Sequence, residues 1–263
     1  MTDAQSGDVG TGSTQICATR KGTLIGSVVF ALYFALVSAA MTIGLSPLLI
    51  FGPRRFIIYA MRSWARATLF GLEHFAGSRM ELRGKDHVPQ GAALIAAKHL
   101  SMWETLAFHL LLPDPALVMK SELLRIPLYG RYARRAQMIV VDRKAGAKAM
   151  RQLMADAEAR LADNRQIVIF PEGTRVPPGA PPDYKPGIAA LYGRLGVPCS
   201  PVALNSGLYW PRQGLRKRPG TIIIEFLPAI PPGLPRPQFM AALQSAIEDA
   251  TQRLLANSQT GWG

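Results

Sequence analysis

Cysteine is nearly missing from this chain: among 263 residues only Cys17 and Cys199 occur. One lies in a polar tail and the other beside a proline in an apolar segment, so a disulfide framework is excluded and a reducing compartment fits. Neither has partners at metal-ligand spacing, and Cys199 reads as a small buried filler. The sequence also has no G-x-S-x-G elbow, no H-E-x-x-H helix and no C-x-x-C pair, which removes the usual signatures of a serine hydrolase or a zinc site. No internal repeat or low-complexity tract is present. Acidic residues are scarce as well, 17 against 30 lysines and arginines for a formal net charge of +13. That balance selects anionic partners: lipid headgroups, an acidic protein or nucleic acid. No nucleic-acid motif accompanies the charge, so nucleic acid is not expected.

What is there falls into three parts. Residues 1–23 open with a Gly-, Ser- and Thr-rich stretch that cannot bury enough apolar surface to order itself, and read as a loose tail. Residues 24–83 read as a membrane-associated helical region. From Leu24 to Phe51 no side chain is charged, a run long enough to cross the roughly 30 Å hydrocarbon layer as a helix. Two arrangements fit. Either the segment spans once, or Ser46-Pro47 and Gly52-Pro53 break it and a second helix, Phe56 to Phe75, lies in the interface. A cleaved signal peptide ending near Val37-Ser38-Ala39-Ala40 fits less well, given the polar residues ahead of Arg20. Basic residues flank the run on both sides: Arg20 and Lys21 precede it, and Arg54, Arg55, Arg62 and Arg66 follow. The arginines after it favour a membrane surface.

Residues 84–263 alternate short apolar runs with amphipathic stretches, as an α/β domain does: a central mixed sheet flanked by helices. Strands are predicted at Ala92–Ala97, Ala116–Met119, Met138–Val141, Gln166–Phe170, Pro201–Leu204 and Thr221–Phe226. Helices are predicted at Lys148–Leu161 and Gln238–Leu255. The proline-rich stretches 176–186 and 228–237 read as loops, and residues 120–148 concentrate basic side chains.

Two segments carry chemistry. His99 follows the apolar run 92–97, at a strand end where α/β sheets place ligands. Glu104 stands five residues on. It admits two readings: Ser101 and Glu104 make a capping box, or the carboxylate folds back to hold the His99 ring so that its other nitrogen can take a proton. His74, His87 and His109 have no such setting and are expected at the surface or an interface. The second segment, Phe170-Pro171-Glu172-Gly173-Thr174-Arg175, leaves another strand as a polar turn. Arg175 offers a planar fork matched to phosphate, or else closes a surface turn with Glu172.

A histidine, four residues and an acid, followed by Phe-Pro-Glu-Gly-Thr-Arg, resembles the glycerolipid acyltransferases, above all those acting on 1-acyl-sn-glycerol 3-phosphate. Lys120-Ser121-Glu122-Leu123, Val141-Asp142-Arg143, Lys185-Pro186-Gly187 and Val197 to Ala203 are similar to further segments of that family. Where the family usually has aspartate, this chain has Glu104. The resemblance implies an α/β acyltransferase that moves a fatty acyl chain from a thioester, acyl-CoA or acyl carrier protein, to the sn-2 hydroxyl of lysophosphatidic acid. It implies His99 as base and Glu104 as its orienting partner. Lys120, Arg143, Glu172, Gly173, Thr174, Arg175 and Lys185 become the acceptor-binding residues, with no metal and no bound cofactor. Membrane lipids are the expected surroundings, and the site is expected on the cytoplasmic face. Two other functions fit the residues less fully: acylation of another lysolipid, such as a lyso-amino-acid lipid, and noncatalytic binding to an anionic membrane.

Overall fold

The computed structural model describes residues 24–260, so the tail expected at 1–23, with Cys17, Arg20 and Lys21, lies outside the described residues. The uncharged run breaks at both predicted prolines. Helix α1 (Leu24–Gly44) is followed by a single turn, α2 (Leu48–Phe51), and by α3 (Arg54–Ala76), which ends on left-handed Gly77. Helices α1 and α3 form an antiparallel hairpin. Tyr33 donates to the Ala67 carbonyl at 3.0 Å and the Trp64 indole to Ser38 at 2.9 Å. A β-carbon on Gly71 would lie 2.0 Å from the Tyr33 ring, so glycine is what lets the two helices approach this closely. The chain thus folds back at the prolines, while α1 with its 21 residues keeps a length and composition that could cross a bilayer.

Seven strands form one sheet in the order β1-β7-β6-β2-β5-β3-β4. They are β1 (Ser78–Arg83), β2 (Ala93–Ala97), β3 (Pro115–Lys120), β4 (Ile139–Val141), β5 (Gln166–Ile169), β6 (Cys199–Leu204) and β7 (Gly220–Phe226). All neighbours pair in parallel except β6 with β7, so the expected mixed sheet is present. Strands β2, β5 and β6 are buried along their whole length, which is why they appear in the sequence as nearly unbroken apolar runs.

The sheet starts earlier than expected. β1 lies inside the stretch assigned to the helical region, whose helices end at Ala76. The strand was hidden because SRMELR offers only two large apolar side chains, and β1 is an edge strand held through β7 alone. Side chains on one face of the sheet pack against α3, α4 (Trp103–Leu111) and α5 (Tyr129–Arg135). The other face is covered by α6 (Gly146–Ala162), α7 (Gly187–Leu195) and α8 (Arg236–Thr260). Cys199 is fully buried in that second layer, and burial pushes its thiol up to about 12, so it is a filler as expected.

Two of the arginines read as membrane-facing are bound within the fold. Arg54 grips Asp114 through both terminal nitrogens at 2.8 and 2.6 Å, and Arg62 donates to the carbonyls of His109 and Leu112 at 3.1 and 2.6 Å. Arg55 and Arg66 stay exposed, on a stripe with Phe56, Tyr59 and Phe70.

Candidate active site

The strands from β6 to β4 run side by side in one direction, so their carboxyl ends share one edge of the sheet. Ser206 follows β6, His99 follows β2 and the Glu172 turn follows β5. Lys120 ends β3, and Arg143 comes just after β4. Residues far apart in the chain thus meet where an α/β sheet binds ligands. Alternation along β2 then sends Lys98 and His99 to opposite faces. Lys98 meets α8, whereas the His99 ring stacks on Phe170 with centroids 3.9 Å apart.

His99 Nδ1 lies 2.9 Å from Glu104 Oε1. The same oxygen accepts the backbone N–H groups of Leu100 and Ser101, both at 2.7 Å, and Glu104 Oε2 accepts from the Ser206 hydroxyl at 2.8 Å. The two readings of Glu104 are therefore both realised: it caps the turn and holds the ring. The capping box itself is incomplete. Ser101 Oγ accepts from Trp103 N–H at 3.1 Å, and the helix begins one residue later than the box requires. Glu104 is fully buried, yet its carboxylate has four donors, the condition under which a buried charge is tolerated. The extra methylene relative to aspartate does not keep it from the imidazole. With Nδ1 donating to the carboxylate, Nε2 is the nitrogen left to accept a proton.

Glu172 turns away from the role expected of it. Its carboxylate meets the buried Lys98 ammonium at 2.6 Å and accepts the His99 backbone N–H at 3.1 Å. It braces the strand end rather than reaching for an acceptor, and it makes no turn-closing pair with Arg175. Burial nevertheless raises its carboxyl above the usual carboxylate range, with Lys98 pulling the other way. Lys98 is shared with Glu248 of α8 at 2.7 Å, and Tyr184 donates to Glu248 at 2.8 Å. Neither Lys98 nor Glu248 was singled out in the sequence. On the far side of His99, its carbonyl accepts Val176 N–H at 2.8 Å, so the turn after β5 grips the histidine backbone from both ends. Gly173 adopts φ +64 there, a left-handed geometry that favours glycine, and its carbonyl accepts from Arg143 Nη2.

Lys120, Arg143 and Arg175 converge beside this turn and line one cavity with His99, Gly173 and Thr174. Burial lowers the Lys120 ammonium below the usual lysine range, and Arg143 adds to the effect. Lys185 also borders the cavity, and its exposed ammonium pairs with Asp183. A cation missed in the sequence is present too: Arg212, from the segment between β6 and β7, lines the same cavity. Its surroundings of glycine, glutamine and further arginines carry no motif.

The cavity measures about 1260 Å³ and runs inward from His99 between α1, α3, α4 and α5, past Leu45, Met61, Leu106 and Met138. His109 lies on its wall, 5% exposed, which overturns the surface position expected for it. Burial first, and then Arg62, pulls its pKa from 6.5 to about 4. His74 and His87 are exposed as expected.

Residues 79–205 match the Acyltransferase family. A 1-acyl-sn-glycerol-3-phosphate acyltransferase of Pseudomonas aeruginosa is 33% identical over 224 residues, covering 82% of this chain and 86% of that protein. The 1-acyl-sn-glycerol-3-phosphate acyltransferase alpha of Mus musculus is 28% identical over 63% of this chain and 59% of its own length. Among solved structures, the 1-acyl-sn-glycerophosphate (LPA) acyltransferase PlsC from Thermotoga maritima has the same fold. It superposes with a TM-score of 0.74 over 87% of this chain and 95% of that one, at 17% identity.

Proposed function

This chain belongs to the 1-acyl-sn-glycerol-3-phosphate acyltransferase family, and we propose that it acylates the sn-2 hydroxyl of lysophosphatidic acid to give phosphatidic acid. The observation that carries the reading is one cavity mouth holding both a carboxylate-held histidine and a cluster of cations. His99 Nε2 takes the hydroxyl proton as the oxygen attacks the thioester carbonyl. Glu104 keeps the ring in that tautomer and supports the imidazolium. When the carbon–sulfur bond breaks, the imidazolium returns the proton to the departing thiolate. No acyl-enzyme is required, because a base and two positioned reactants suffice.

The cations favour an acceptor carrying phosphate, and the apolar cavity accommodates an acyl chain. Membrane lipids are the surroundings in this reading. Ile25, Leu32 and Leu36 on α1 are 77%, 68% and 70% exposed, and Arg55 and Arg66 lie on the exposed stripe of α3, as befits a hairpin seated in a leaflet with anionic headgroups. The site then faces the cytoplasmic leaflet. The donor is acyl-CoA or acyl carrier protein, and the basic residues of 120–148 suit either anion.

The test crosses both labelled donors with lysophosphatidic acid and a lyso-amino-acid lipid, using the purified chain in mixed micelles. Labelled phosphatidic acid is expected. Transfer only to the phosphate-free acceptor contradicts the acceptor assignment, and no transfer in any arm contradicts catalysis.

A further inference from the structure

The segment joining β6 to β7 lies beyond the family match, yet it touches each working part of the site. At its start, Ser206 holds Glu104 at 2.8 Å. At its far end it is clamped to the membrane-side hairpin: Trp210 packs edge-on against Phe30 with centroids 5.3 Å apart, and Lys217 N–H donates to Ser27 at 2.9 Å. Between these anchors, Arg212 Nη1 donates to the Arg175 carbonyl at 2.8 Å. One N–H is therefore occupied in holding the guanidinium in place, and the rest of its planar fork remains for a ligand.

Arg212 stands in the field of Lys120, whose ammonium it depresses together with Arg143 and Arg175. Lys120, Arg143, Arg175 and Arg212 all line the cavity mouth, and among the described residues none of the four forms a salt bridge. Other cations, Lys144 and Lys148 among them, also lack ion pairs among the described residues, but these four are gathered on one cavity. Glu122 offsets part of the repulsion at Lys120, and the excess of like charge is relieved by a bound anion.

We propose that Arg212 is a further acceptor-phosphate ligand and biases the site toward a phosphomonoester over a phosphodiester lysolipid, an inference that rests on the acceptor assignment above. A phosphomonoester carries about −1.5 to −2 charges near neutral pH, whereas a diester has one ionised oxygen. A second arginine beside Arg175 matches the additional charge, and its tether to the Arg175 backbone carbonyl keeps the Arg212 fork at the same turn.

The experiment measures kcat and KM for lysophosphatidic acid and for lysophosphatidylglycerol with wild type, R175A, R212A, R212Q and R212K. In R212A and R212Q the KM for lysophosphatidic acid should rise on the order of tenfold, with a smaller change in kcat. R212K should recover part of the loss, and the preference for the monoester should narrow. Glutamine removes the charge and leaves only a shorter neutral donor, so wild-type KM in R212Q would show that the charge binds no acceptor and overturn the proposal. Unchanged KM in R212A, with wild type active and R175A impaired, overturns it while the proposed function stands. Wild type inactive on lysophosphatidic acid overturns the proposed function as well.

Discussion

Ser206 Oγ donates to Glu104 Oε2 at 2.8 Å across 102 residues of sequence. This hydroxyl is the donor on the one carboxylate oxygen that the capping turn leaves free, the other oxygen being shared by His99 and two backbone N–H groups. Ser206→Ala leaves a buried carboxylate short of a partner, a loss of about 1–3 kcal/mol. If half of that falls on support of the imidazolium, turnover drops about two- to tenfold. Chemical denaturation and steady-state kinetics on the same variant measure the two effects, and unchanged values in both would show the contact to be idle.

His99→Ala removes the proposed base together with one of the four donors to Glu104, and leaves the Leu100, Ser101 and Ser206 donors in place. Turnover should fall on the order of a hundred- to ten-thousandfold, while vesicle binding, which the proposed function places on α1 and α3, should stay as in wild type. Near-normal acyl transfer by the purified variant would take His99 out of its role.

Lys98→Met takes the cation from between Glu172 and Glu248, both within 2.7 Å of its Nζ. Leaving buried carboxylates unpaired should destabilise the protein by about 3–5 kcal/mol. Adding Glu172→Gln should restore part of that stability. A Lys98→Met single variant that unfolds at the wild-type urea midpoint would mean the pair is neutral to the fold.

His109 gives the fold a pH dependence of definite sign. Its pKa is lowered from 6.5 to about 4, so between those values the unfolded chain binds the proton and the folded protein does not. Stability from this group is complete above about pH 6.5 and is lost as the pH falls toward 4, a difference of order 3 kcal/mol. In His109→Gln the unfolding free energy should decline less over that window. Parallel curves for variant and wild type would contradict the assignment.

The sequence by itself determined the local pieces. Apolar runs located the sheet's central strands because those strands are buried on both faces. The prolines at 47 and 53 located the hairpin's break because they cannot continue a helix. His99 and Arg175 were legible because each leaves such a run at a strand end. Tertiary structure decided what those pieces touch. Strand order set β6 beside β2 and so brought Ser206 to Glu104, and the crossing of α8 behind β2 supplied Glu248 to Lys98. Asp114, with the carbonyls of His109 and Leu112, captured the arginines at 54 and 62 that composition had assigned to lipid. The fold also turned the Glu172 carboxylate toward Lys98, paired Lys185 with Asp183 and brought Arg212 to the cavity. The physical reason is range: periodicity and turn chemistry act over a few neighbouring residues. The partners of a buried charge are chosen by whichever strands and helices the closed sheet sets beside it.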